Sequence, residues 1–216
     1  VLSAVSAAWA AHKRIVFDGD NYADEWHAEA EARGLANLRQ TPDALPWLIE
    51  PSTVEVFSKY EVLSERELES RYEVFLEQYT VKVNIEAETA ATIARTQLLP
   101  AAVKHLANVR AAGEGRGLDT LTGELSELVD EFVFAIQKLE DANDHPAELE
   151  GAEYACYMRD TVIPAMDGVR EVADRLERIV DSELWPLPRY RPAIVRPARR
   201  RRRSRSSRRS PSSRPA

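Results

Sequence analysis

Apolar residues recur at steps of three and four from Leu68 to Val109, through Tyr72, Phe75, Tyr79, Val83, Ala87, Ala90, Ala94, Leu98, Ala102 and Leu106. That spacing places one stripe on one face of one α-helix. At ~1.5 Å per residue a helix from Ser64 to Ala112 extends over roughly 70 Å, and a stripe of that length is covered best by other long helices. Ser64-Glu65-Arg66-Glu67 opens it with a serine and, three positions on, a glutamate, the spacing of a capping box. Pro100 has no amide hydrogen to donate and is expected to kink the helix. Gly113, Gly115 and Gly117 end it.

Two more stripes follow. The first runs Leu118, Leu121, Leu125, Leu128, Phe132, Ile136, Leu139 and stops near Asn143-Asp144-His145-Pro146. The next runs Leu149, Ala152, Cys156, then Val162, Met166, Val169, Ala173, Leu176 and Val180, with a kink expected at Pro164. Short connections between long helices make neighbours antiparallel, so the expected fold is mainly α, with residues 51–188 forming an up-down-up three-helix bundle. Residues 1–50 read as a small mixed α/β segment. They open with an Ala-rich helix, Arg14-Ile15-Val16-Phe17 suggests a short strand, and Asp18-Gly19-Asp20-Asn21 is its turn. A helix from Asp24 is ended by Gly34, and Thr41-Pro42 opens a short helix through Ala44, Leu45, Trp47 and Leu48.

The charge is divided. The chain carries −7 overall, yet residues 189–216 hold twelve arginines and no acid, which leaves −19 on residues 1–188. An acidic body of that strength repels nucleic acid and anionic membrane, so polyanion contact rests on the tail, and there it is non-specific. The tail is Arg, Ser, Pro and Ala with almost nothing apolar to bury, and it is expected to be disordered. No run approaches the roughly 18 apolar residues of a membrane span. The apolar start, Val1 to Ala11, has no basic n-region and no cleavage site, so a signal peptide is not expected. The chain has no initiator Met, and it is expected to be cut from something longer. The single cysteine, Cys156, excludes an internal disulfide and suits a reducing cytoplasm.

Candidate chemistry is sparse. Asp18, Asp20, Asp24 and Glu29 fall at positions 1, 3, 7 and 12 of a calcium loop, but the sixth position, which needs Gly, is Ala23 and the fifth is Tyr22, so a solvated turn is expected instead. His12, His27, His105 and His145 include no pair four residues apart, the spacing that puts two ligands on one helix face. Cys156 lies on the third stripe as a small apolar residue with no activating base beside it in sequence. Glu124, Glu127, Asp130 and Glu131 share the polar side of the second helix. The Gly113-Gly115-Gly117 connection follows a helix and lacks the Gly-Lys-Ser/Thr ending of a phosphate loop. The residues therefore give no catalytic, cofactor-binding or metal-binding site.

Specific information comes from Lys13-Arg14-Ile15-Val16-Phe17-Asp18-Gly19-Asp20-Asn21-Tyr22, Glu25-Trp26, Glu29-Ala30, Arg33-Gly34-Leu35, Asn37-Leu38 and Thr41-Pro42-Asp43-Ala44-Leu45-Pro46. It continues through Phe57, Ser64-Glu65, Arg71-Tyr72-Glu73, Asn84-Ile85-Glu86-Ala87, Leu99-Pro100-Ala101 and Trp185-Pro186-Leu187-Pro188. Over residues 12–188 this resembles the C-terminal region of type III glutamine synthetases, with Asp18 where the family pattern has Asn. The resemblance implies a parent enzyme that joins ammonia to glutamate through a phosphorylated intermediate, uses ATP with Mg or Mn, and assembles as a homo-oligomer. It implies that residues 1–50 end the catalytic domain and that the remainder of the synthetase and identical subunits are the partners. The family's nucleotide, metal and glutamate motifs lie upstream of the matching region, so no catalytic residue carries over and this chain alone is expected to be inactive. The pattern stops at Pro188, and the Arg-rich tail is expected to be an out-of-frame reading of a GC-rich gene end. The competing expectation is a stand-alone helical interaction module whose Arg-Ser tail binds polyanions.

Overall fold

In the computed structural model the described residues are 2–13, 16, 19–20, 22–144 and 148–188. The chain divides into two units, 1–186 and 187–216. The Arg-rich tail lies outside the described residues, as do Arg14, Ile15 and Phe17 of the expected strand; Val16 is in no strand. The protein is mainly helical, and among the described residues there is no β-strand.

Four short helices come first: α1 (Leu2–His12), α2 (Asp24–Ala32), α3 (Thr41–Ala44), which runs into a 3-10 turn at Leu45–Leu48, and α4 (Pro51–Lys59). Gly34 ends α2 with φ 69°, a left-handed conformation that a side chain disfavours. Three long helical runs follow. α5 (Glu65–Ile93) passes through a π segment, Ala94–Leu98, into α6 (Leu99–Ala111); α7 spans Arg116–Asn143; α8 (Gly151–Tyr157) passes through a second π segment, Met158–Val162, into α9 (Ile163–Ile179). The capping box forms at the start of α5. Ser64 Oγ accepts from the Glu67 amide at 3.4 Å, and Glu67 Oε2 accepts from the Ser64 amide at 2.8 Å, which satisfies two amides the helix leaves without partners.

α7 packs on α6, α9 and α5, and α5 also meets α8 and α9. The shared core holds Val83, Ala87, Ala91 and Leu98 from the first run, Leu128, Phe132, Ile136 and Leu139 from α7, and Met158, Val162, Val169 and Leu176 from the third. Full burial of each large side chain contributes about 1.5–3 kcal/mol. A smaller cluster of Leu106, Val109 and Leu125 closes the end formed by α6 and the start of α7. Gly113 makes the turn between them with φ 112°. After α9 the chain turns at Asp181, whose carbonyl accepts from the Trp185 amide at 3.1 Å, and Trp185 returns to the core with 8% of its surface exposed.

Two details depart from the sequence pattern. Each proline expected to kink a helix sits at the second residue after a π segment, Pro100 after Ala94–Leu98 and Pro164 after Met158–Val162. A π turn widens the helix by one residue, which makes room for the proline ring and relocates the missing donor. The buried face also differs from the expected stripes. Leu76 and Thr80 are buried and Phe75 is exposed; Ala155 and Met158 are fully buried and Cys156 only half so. The third stripe runs Ala155, Met158, Val162, Ala165, Val169, Val172, Leu176, alternating steps of three and four around the π segment.

Candidate functional site

The surface divides into a well-packed helical body and an N-terminal part whose apolar side chains face outward. α1 buries no residue: Leu2 is 85%, Val5 59% and Trp9 59% exposed. Trp47 is 50% exposed, Tyr60 68%, and Val16, Ile49, Val56 and Val62 are exposed with them. Isolated surface apolar residues are ordinary, but here they accumulate over residues 2–62.

Two grooves flank α5. One, of about 490 Å³, lies between the 41–48 segment and α5; Leu45, Phe75, Val83 and Ile163 supply apolar walls, Tyr79 lines it, and Lys82 and Glu86 are its charged groups. Burial pushes the Tyr79 hydroxyl above its ordinary range, against the pull of Arg159. The other, of about 580 Å³, is polar, with Thr80, Asn84, Glu88, Asn143, Glu150 and Tyr154 along it. Asn84 donates to Glu88 Oε1 at 3.1 Å and accepts from Asn143 Nδ2 at 2.9 Å. Neither groove aligns a nucleophile with a base, or gathers basic groups where a phosphate would sit.

The sequence candidates are scattered. Asp20 Oδ1 accepts from the Tyr22 amide at 2.9 Å, Asp24 begins α2, and Glu29 bonds Arg33 at 2.6 Å, while Asp18 lies outside the described residues. His12 is exposed, His27 stands 3.3 Å from Asn37 Nδ2, His105 is half-buried, and His145 lies outside the described residues. Glu124, Glu127, Asp130 and Glu131 are exposed, and Glu131 pairs with Arg175 of α9. Among the described residues no three His, Cys, Asp or Glu side chains are placed to share a metal ion, and no helix is long and apolar enough to cross a membrane.

Sequence spacing gave no sign of the polar ties between runs. Arg95 meets Glu140 with a two-pronged ion pair, Nε to Oε1 at 2.6 Å, and this interaction raises the arginine's basicity further. Arg159, in the second π segment, holds Asp160 through Nε at 2.6 Å and Nη2 at 2.7 Å, and reaches Asp43 through Nη1. The bonds from Arg159 keep the Asp160 carboxyl below its ordinary range.

A family profile described as the glutamine synthetase C-terminal domain matches residues 1–114. The type-3 glutamine synthetase of Dictyostelium discoideum is 33% identical over 197 residues, covering 83% of this chain and 26% of that protein. The glutamine synthetase of Butyrivibrio fibrisolvens is 32% identical over 198 residues, 83% of this chain and 27% of its own. That of Bacteroides fragilis is 31% identical over 198 residues, 84% and 27% respectively. The chain thus spans about a quarter of the length of these relatives. From the profile and these likenesses together, this chain belongs to the glutamine synthetase C-terminal domain family, in its type III branch.

Proposed function

We propose that this chain serves as the C-terminal helical portion of a cytoplasmic type III glutamine synthetase, an ATP-dependent ligase of ammonia and glutamate, and that its role is structural. Residues 1–50 finish the catalytic domain, and residues 51–188 form an antiparallel three-helix bundle that scaffolds the parent enzyme or joins identical subunits. The remainder of the synthetase supplies the sites for ATP, Mg or Mn, and glutamate. The tail, residues 189–216, contacts nucleic acid only non-specifically.

One observation carries this reading: the family-matched residues 1–114 include the segment whose apolar side chains are outward, Leu2, Val5, Trp9, Trp47 and Tyr60. A surface of that kind is expected where another part of the same enzyme packs. Phosphoryl transfer needs cations and basic groups converging in one cleft, and the two grooves of the described residues show no such convergence. The test is glutamine formation from glutamate, ammonia, ATP and Mg or Mn. Purified chain is expected to match a mock preparation, and turnover above it overturns the structural role.

A further inference from the structure

We propose that Asp43 and Arg159 form a latch that holds residues 41–48 as a strap forming one wall of the groove beside α5. The pair joins positions 116 residues apart. The strap is α3 and its 3-10 turn, and its backbone hydrogen bonds are local: the Asp43 and Ala44 amides donate to Gln40, Leu45 to Thr41, and Ile49 to Pro46. A single helical turn does not persist alone in water, so the strap keeps its shape only while attached to the body. Attachment comes from the buried ring of Pro42, from Leu45 against α5, and from the ion pair.

Arg159 is prepared for this role. Its fork is fixed by two bonds to Asp160, which leaves Nη1 aimed at Asp43, and its side chain is 20% exposed against 42% for Asp43. A pre-oriented guanidinium loses less freedom on pairing than a mobile one. It also stands in a π segment, a distortion that proteins retain frequently at functional positions. Releasing the strap would remove the Thr41 and Leu45 wall of the groove and leave Tyr79 and Ile163, half-buried on the facing wall, more open to solvent. The latch thus sets whether that wall of the groove is in place.

Hydrogen exchange on the whole chain tests this with Asp43→Asn, Arg159→Gln and the double variant. Each single change is expected to speed exchange of the amides of residues 43–49 about fivefold. The double variant should be no faster than either single, and amides of α7 from Leu128 to Leu139 should not change. Rising salt should speed strap exchange in the unaltered chain and not in Asp43→Asn. Unchanged strap exchange in the single variants, additive effects in the double, or equal acceleration in α7 would each overturn the latch.

Discussion

Asn143, the last residue of α7, donates from Nδ2 to Asn84 Oδ1 at 2.9 Å, pinning the end of one long helix to the middle of another. The second oxygen of this pair is left over: Asn143 Oδ1 is buried without a hydrogen-bond partner among the described residues. The two partners are therefore unequal. Asn84→Ala strands both polar atoms of Asn143, whereas Asn143→Ala removes the stranded oxygen and leaves Asn84 bonded to Glu88. Denaturant unfolding should show Asn84→Ala as the costlier change, by about 1 kcal/mol. Equal losses would mean that the stranded oxygen has no energetic weight.

At the start of α5 the capping serine should matter more than its exposure suggests. Ser64→Ala removes the acceptor for the Glu67 amide and is expected to cost about 1 kcal/mol in the same measurement. Ser64→Asn, another good cap, should retain most of the stability.

The cap also sets a dependence on acid. Glu67 is held below its ordinary value of 4.5, first by the Ser64 amide and then by the Ser64 hydroxyl. A carboxylate with a lowered folded pKa stabilises the fold above its unfolded value and loses that effect as pH falls through the folded one. Thermal melts of the unaltered chain and Glu67→Gln should therefore differ most above pH 4.5 and converge below it. A gap that widens on acidification contradicts the assignment.

Phe132 and Phe134 are two residues apart on α7 and face opposite ways, the first fully buried and the second 74% exposed. Phe132→Ala should cost about 3–5 kcal/mol by leaving a cavity among Leu128, Ile136 and Leu176. Phe134→Ala should stay within about 0.5 kcal/mol of the unaltered chain. A large loss at Phe134 in the isolated chain would reveal a contact that the fold does not contain.

The long helices were legible because their signal repeats many times. Leu125, Leu128, Phe132, Ile136 and Leu139 fall on the buried face of α7 as their spacing predicts, and Ser64 and Glu67 cap α5. Phe75 and Cys156 were misplaced by one residue. A helix with many alanines and aromatics offers two adjacent stripes, and periodicity alone does not choose between Phe75 and Leu76. Beside Cys156, Ala155 is an equally small residue one position away, and spacing alone does not choose between the two adjacent faces. The Asp43–Arg159 and Asn84–Asn143 pairs had no sequence signal, because nothing in the spacing of a charged or amide side chain names a partner 116 or 59 residues away.

In the proposed role the rest of the synthetase covers residues 2–62. Hydrogen exchange with the chain alone, and with the chain combined with the remaining synthetase polypeptide, measures it directly. Complex formation and slower exchange of amides in α1, in α4 and around Trp47, where the apolar side chains are outward, are expected. Failure of the two polypeptides to associate, or association that leaves those amides unprotected, would contradict it.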